Sequence, residues 1–74
     1  MDKGKFIIEF LKKHECKAFY IDVRTSLSQE RAIFDSELDF DKHLEQLVDD
    51  GLVFVDDETV VHLMKHELNH IVTL

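Results

Sequence analysis

The sequence predicts a small α+β domain in which three helices precede a C-terminal β-hairpin. Apolar residues recur at helical spacing in three stretches as far as Val48, a pattern typical of amphipathic helices. Gly51 ends the third stretch, and two short apolar runs at residues 52–55 and 60–63 follow with an acidic turn between them. Because a chain of 74 residues can bury one core at most, residues 1–74 are predicted to be a single domain.

The first predicted helix covers residues 3–14. Its apolar side chains share one face, with lysines and Glu9 on the other; they are Phe6, Ile7, Phe10 and Leu11. The run AFYIDV at residues 18–23 is short and rich in aromatic and β-branched residues. It is therefore predicted to be a strand or an extended connection.

The second predicted helix covers residues 27–37. Ser26 and Gln29 resemble a capping box, and four following residues share a face at helical spacing: Leu27, Arg31, Phe34 and Leu38. The third predicted helix begins at Asp39 or Asp41, either of which could cap it. Its predicted buried stripe is Phe40, Leu44, Leu47 and Val48. Gly51 is predicted to be its left-handed stop.

Residues 52–55 and 60–63 are predicted to pair as a hairpin around Asp56-Asp57-Glu58-Thr59. In an alternative interpretation, residues 58–73 form one helix, because Val60, Leu63 and Met64 are also helically spaced. Adjacent β-branched Val60 and Val61 favour the strand. A short helix from Met64 onward is compatible with the hairpin.

The run LEQLVDDGLVFV carries the most specific resemblance in the chain. It is a leucine-spaced helix that ends in Asp-Gly and passes directly into a β-type run. Together with the order helix, short strand, helix, helix, hairpin, it resembles the winged-helix superfamily. The resemblance implies a small winged-helix-like domain with the hairpin as its wing. In DNA-binding members the third helix enters the major groove and the wing contacts the DNA backbone.

The charge of this segment opposes DNA binding. The chain carries a net charge of −7, and Lys42 is the single Lys or Arg between Asp35 and Glu58. Nucleic-acid recognition needs cations near phosphates, so acids at the third helix and the wing tip would weaken it. Binding of duplex nucleic acid through the third helix is therefore disfavoured.

The sequence instead favours an acidic protein–protein interaction module, a regulatory or assembly component without catalysis or cofactor. The predicted contact residues, facing a protein partner that is basic, are Asp41, Glu45, Asp49, Asp50, Asp56 and Asp57. A solvated acidic face without a partner is the plainer interpretation of the same residues. Since a domain of this size has a marginal core, a homodimer is a further prediction.

Two alternatives use other parts of the chain. A nucleic-acid-binding transcriptional regulator could use a basic face made of Lys3, Lys5, Lys12 and Lys13. A zinc-binding protein could use the segment HELNH, in which His66 and His70 would be ligands and Glu67 a general base. Lys65 and the short remainder after His70 weaken the zinc hypothesis.

The predicted setting is cytoplasmic or nuclear, and soluble. Cys16 is the single cysteine, which excludes an internal disulfide and fits a reducing compartment. The run FIIEFL is too short for a signal peptide and is interrupted by Glu9. No stretch approaches the length of a membrane span.

Overall fold

The computed structural model describes residues 3–64, in which helices cover one face of a small antiparallel sheet. In chain order the elements are α1 (Gly4–Lys13), β1 (Lys17–Phe19), α2 (Tyr20–Arg24) with a π-helical continuation (Thr25–Glu30), α3 (Glu37–Asp49), β2 (Val53–Val55) and β3 (Val60–Leu63). With α2 and its continuation counted as one, the described residues form three helices and three strands. The predicted small α+β class is confirmed, and the element order is compatible with a winged-helix-like domain.

The sheet has the order β1-β3-β2, with antiparallel pairing on both sides of β3. Val61 in β3 lies opposite Ala18 of β1 and Val55 of β2. The predicted hairpin of β2 and β3, called the wing below, is therefore confirmed. The alternative helix over residues 58–73 is wrong for Val60–Leu63, which form β3. The short helix predicted from Met64 onward lies outside the described residues.

The strand predicted at residues 18–23 is right only as far as Phe19. The Tyr20 backbone N–H donates to the Thr59 carbonyl at 2.8 Å, and from Tyr20 onward the chain is helical. Helical spacing places Val23 and Leu27 on one face, and both side chains are fully buried. Burial of this pair therefore outweighs the strand preference of the local sequence.

The second helix predicted over residues 27–37 is also wrong in its position. The helical segment begins at Tyr20 and ends near Glu30, where Ser26 lies inside it and does not cap it. The Leu27 carbonyl accepts from the backbone N–H groups of Ile33 and Phe34 at 2.8 and 3.2 Å, and Ala32 has a left-handed φ of 52°. The chain thus turns before Phe34, whose buried side chain comes from a loop.

Ser36 is the N-cap of α3, in place of the predicted Asp39 or Asp41. Its hydroxyl accepts from the Asp39 backbone N–H at 3.1 Å, and the Asp39 carboxylate accepts from the Asp35 N–H at 3.1 Å. These two hydrogen bonds satisfy one N–H group in the first turn of α3 and one just before it. At the other end Gly51 has a φ of 77°, so the predicted left-handed stop is confirmed.

The core lies between the helices and the inner face of the sheet. The largest fully buried side chains come from every layer of the domain: Phe34, Phe40, Ile7, Leu11, Leu27, Val23, Val53 and Val61. The Phe34 and Phe40 rings meet edge to face with centroids 5.4 Å apart, an arrangement that favours aromatic pairs. α3 therefore packs into the core through one face, and its remaining sides determine what the domain can bind.

Candidate functional site

The outward side of α3 is the surface opposite its buried stripe. Phe40, Leu44 and Leu47 are buried as predicted. At about 100° per residue, the opposite side carries Leu38, Lys42, Glu45 and Asp49, all exposed. These four residues are called the α3 outer face below. Among the described residues, no hydrogen bond or ion pair holds the carboxylates of Glu45 and Asp49, so both are available to an external group.

The flank of α3 that faces α2 carries a closed polar network. The Tyr20 hydroxyl donates to the Asp41 carboxylate, and the Arg24 guanidinium donates to the Tyr20 hydroxyl at 3.2 Å. The Arg24 Nε also lies 3.5 Å from the Glu37 carboxylate. Burial, and then the Asp41 carboxylate, raise the pKa of Tyr20 above its ordinary value. Asp41 therefore holds α3 against α2.

Lys3, the residue just before α1, neutralises acidic side chains at the start of α3. Lys3 Nζ lies 3.8 Å from carboxylate oxygens of both Asp35 and Asp39. It also lies 6.0 Å above the Phe34 ring, a distance at which a cation is attracted to the ring face. Lys3, one of the lysines predicted for nucleic-acid binding, is thus engaged within the domain.

The remaining predicted lysines lie on other sides of α1. Lys5 and Lys12 are seven residues apart and share a side, with the acidic Glu9 between them. Lys3 lies about 160° around the helix from Lys5, at roughly 100° per residue. The structure therefore does not bring Lys3, Lys5, Lys12 and Lys13 together on one basic face.

Asp56 organises the turn of the wing. One of its carboxylate oxygens accepts from the backbone N–H groups of Glu58 and Val60, at 2.8 and 3.0 Å. The other lies 2.8 Å from the His62 Nε2, and the His62 ring stacks on Phe54 with centroids 4.6 Å apart. The His62 contact, and then the Val60 N–H, lower the pKa of Asp56. Asp56 is therefore a structural acid of the turn.

The six acids predicted to contact a partner thus divide into two groups. Asp41 and Asp56 have partners inside the domain, whereas four others are exposed: Glu45, Asp49, Asp50 and Asp57. Asp50 accepts a hydrogen bond from its neighbour Gln46 at 3.1 Å. Glu45 and Asp49 lie on α3, Asp50 follows its last residue, and Asp57 lies in the turn of the wing.

Exposed apolar side chains accompany these acids, and the sequence did not predict them. Leu38 is 75% exposed and Val48 is 41% exposed, although Val48 was predicted to be in the buried stripe and Leu38 to share a face of the second helix with Leu27 and Phe34. Leu38 faces outward because α3 begins at Glu37 and not at Asp39 or Asp41. The signal that could have shown this is Ser36-x-x-Asp39, which is a capping pattern at the true start of the helix.

Comparisons with protein-family models, curated proteins and solved structures gave no match. Function is therefore inferred from the surface chemistry of this chain. Within residues 3–64 no helix is long and apolar enough to cross a membrane. No group of three or more His, Cys, Asp or Glu residues is arranged to hold a metal in that same part of the chain. His66 and His70, the predicted zinc ligands, lie outside it.

Proposed function

We propose that this chain is a protein-interaction domain with a winged-helix-like frame, and that its α3 outer face binds a basic protein partner. One observation carries the proposal. The helix that resembles a recognition helix presents exposed Leu38 on the same face as the unpaired carboxylates of Glu45 and Asp49. A face that carries both an apolar group and acids is complementary to a surface that combines aliphatic side chains with Lys or Arg.

Phosphate backbones are poor partners for the same surface. Binding to duplex DNA gains affinity when cations displace the counterions around phosphates. Lys42 is the single cation of the α3 outer face, and Glu45 and Asp49 follow it on the same face of the helix. Bringing this face to DNA would therefore place two carboxylates near phosphate for each ammonium group.

A protein partner would use both components of the face. Burial of Leu38, and of Val48 at the edge, would supply apolar area at roughly 25 cal/mol per Å². Contacts of Glu45 and Asp49 with Lys or Arg would then favour one orientation and a faster encounter. The face would then combine apolar and charged contacts, as protein interfaces do.

We further propose that the domain acts as a regulatory or assembly component without catalysis, in the cytoplasm or nucleus. The half-buried thiol of Cys16 is free, which fits a reducing compartment. The alternative of nucleic-acid binding through lysines is less well supported, because Lys3 is ion-paired with Asp35 and Asp39.

The experiment is a titration of the isotope-labelled domain with a synthetic helical peptide that carries Leu on one face and Lys and Arg around it. We expect chemical-shift changes centred on Leu38, Glu45 and Asp49. The double variant Glu45→Lys/Asp49→Lys should weaken binding about tenfold or more, as expected for two reversed charge contacts of roughly 0.5–1 kcal/mol each.

A matched control separates local contact from net charge. Glu9→Lys/Glu30→Lys changes the net charge by the same amount at exposed positions on α1 and after α2. If both double variants lose affinity equally, the affinity for the peptide depends only on overall charge and the assignment to α3 is wrong. Micromolar binding of duplex DNA that weakens steeply with salt would also contradict the proposal.

A further inference from the structure

The outer face of the sheet is a second exposed surface, separate from α3. The strand register places Lys17, His62 and Phe54 in one row across the three strands, and Phe19 beside Val60 in the next. The residues between them, Val53, Val61 and Leu63, point to the opposite face and are buried. Phe19 is 54% exposed and Phe54 is 44% exposed, so this face leaves aromatic area open to solvent.

A groove of about 470 Å³ runs along this face beside β1, and its two ends differ in charge. His14 and Lys17 lie at the end where β1 begins. Glu58 lies at the other end, because β3 runs antiparallel to β1 and Glu58 precedes it. Asp22 follows β1 in α2 and also lines the groove. The groove is therefore basic at one end and acidic at the other, with Phe19, Val60 and the His62–Asp56 pair between the two ends.

We propose that a second copy of this chain covers this groove through a twofold axis. A twofold axis reverses the direction of one groove relative to the other, so the same patch contacts itself with its ends exchanged. Lys17 of each copy then meets Glu58 of the other, and the two Phe19 rings pack in the middle. The chain supplies both halves of this charge complementarity.

Other occupants satisfy only one end of the groove. A basic peptide would be attracted to Asp22 and Glu58 but repelled by Lys17. An acidic peptide would be attracted to Lys17 but repelled by Asp22 and Glu58. An anionic lipid surface would be repelled by the acidic end. Asp56 does not compete for Lys17, since its carboxylate is held by His62 and by the turn. A second copy satisfies both ends at once.

Such a dimer leaves the α3 outer face accessible, because α3 packs on the other side of the sheet. Each dimer would then present two α3 faces, and a partner with two basic segments would bind more tightly than one with a single segment. The dimer does not depend on the proposed function. Loss of dimerisation without loss of peptide binding, or the reverse, would separate the two proposals.

The experiment measures the mass of the chain by sedimentation velocity over a range of concentrations at about 0.15 M salt, where long-range repulsion between the acidic chains is screened. Reversal of one charge, in Lys17→Glu or Glu58→Lys, turns both symmetry-related contacts into repulsions. We expect each single variant to raise the dimer dissociation constant about tenfold, because two exposed ion pairs are lost and replaced by repulsions. The double variant Lys17→Glu/Glu58→Lys recreates the contacts in reverse and should return to within about threefold of the native value.

Matched controls hold the net charge equal. Lys5→Glu and Glu9→Lys make the same charge changes on α1, away from the groove, and we expect them to leave dimerisation nearly unchanged. Glu58→Lys is the sharpest case, because it lowers the net negative charge and would favour association if only overall repulsion mattered. Phe19→Ser should abolish the dimer while the circular dichroism spectrum stays native, since the side chain is largely exposed.

Two results would overturn the proposal. One is a monomeric mass at every concentration up to about 1 mM, the level at which binding is worth roughly 4 kcal/mol. The other is a dimer in which Lys17→Glu, Glu58→Lys and Phe19→Ser behave like the control variants, which would place the interface elsewhere on the chain.

Discussion

The two solvent-facing sides of α3 carry similar residues but differ in what those residues contact. On the flank facing α2, Asp41 accepts from Tyr20, and Arg24 lies beside Glu37. On the α3 outer face, Glu45 and Asp49 have no such partner among the described residues, and Leu38 is open to solvent. The side of α3 on which an acidic residue lies therefore decides whether it is structural or available for binding. The predictions below test that distinction.

The largest expected difference is in the free energy of unfolding when two apolar residues of α3 are each replaced. Phe40 is fully buried and Leu38 is 75% exposed, although they are two positions apart. Phe40→Ala should lower the free energy of unfolding by about 3–5 kcal/mol, because it removes a ring packed against Phe34 and leaves a cavity. Leu38→Ala should change it by less than about 0.5 kcal/mol. Urea denaturation followed by circular dichroism measures both, and a comparable loss in Leu38→Ala would show that Leu38 packs within the domain.

A smaller effect separates two acids of the same helix. Asp41→Ala should lower the free energy of unfolding by about 1 kcal/mol, since the half-buried Tyr20 hydroxyl loses its acceptor. Asp49→Ala, at an exposed position, should change it by less than about 0.5 kcal/mol. Tyr20→Phe tests the cause, because its loss should not add to that of Asp41→Ala if the two act through one hydrogen bond. Full additivity in the double variant would contradict this contact.

The smallest effect concerns the ionisation of Tyr20, the single tyrosine in a chain without tryptophan. The ultraviolet absorbance of the phenolate therefore reports this one group. Burial, and then Asp41, raise the pKa of Tyr20, so Asp41→Asn should lower that pKa and Asp49→Asn should leave it unchanged. Because the folded-state pKa is raised, the stability it contributes is present below about pH 10 and is lost as pH rises through the folded value. An equal pKa in Asp41→Asn and the native chain would refute the coupling.

Local sequence was sufficient for the first and last parts of the fold. α1 forms where Ile7 and Leu11 make one apolar stripe, and its basic last turn suits the helix C-terminus. Gly51 adopts the left-handed conformation that the end of α3 requires, and adjacent Val60 and Val61 form β3. In each case one residue type has a strong conformational preference and nothing distant opposes it.

The secondary structure of the segment from Tyr20 to Ser36 could not be predicted from local sequence in the same way. Its β-branched and aromatic residues favour a strand, yet Val23 and Leu27 are buried together as one helical face. The predicted start of α3 was wrong for a related reason, because Ser36 competes with Asp39 and Asp41 as a cap. That displacement changed the predicted site most, since it moved Leu38 from the predicted second helix to the exposed side of α3.

The sequence by itself determined the class of the domain, its acidic character and the element that carries more acids than any other. These follow from composition, spacing and the conformations that glycine and β-branched residues prefer. Only the tertiary structure decided which acids are free, because Asp41 and Asp56 find partners twenty-one and six residues away in the chain. It also placed Phe19 and Phe54 on one open face, since strand register depends on which residues pair and not on local preference.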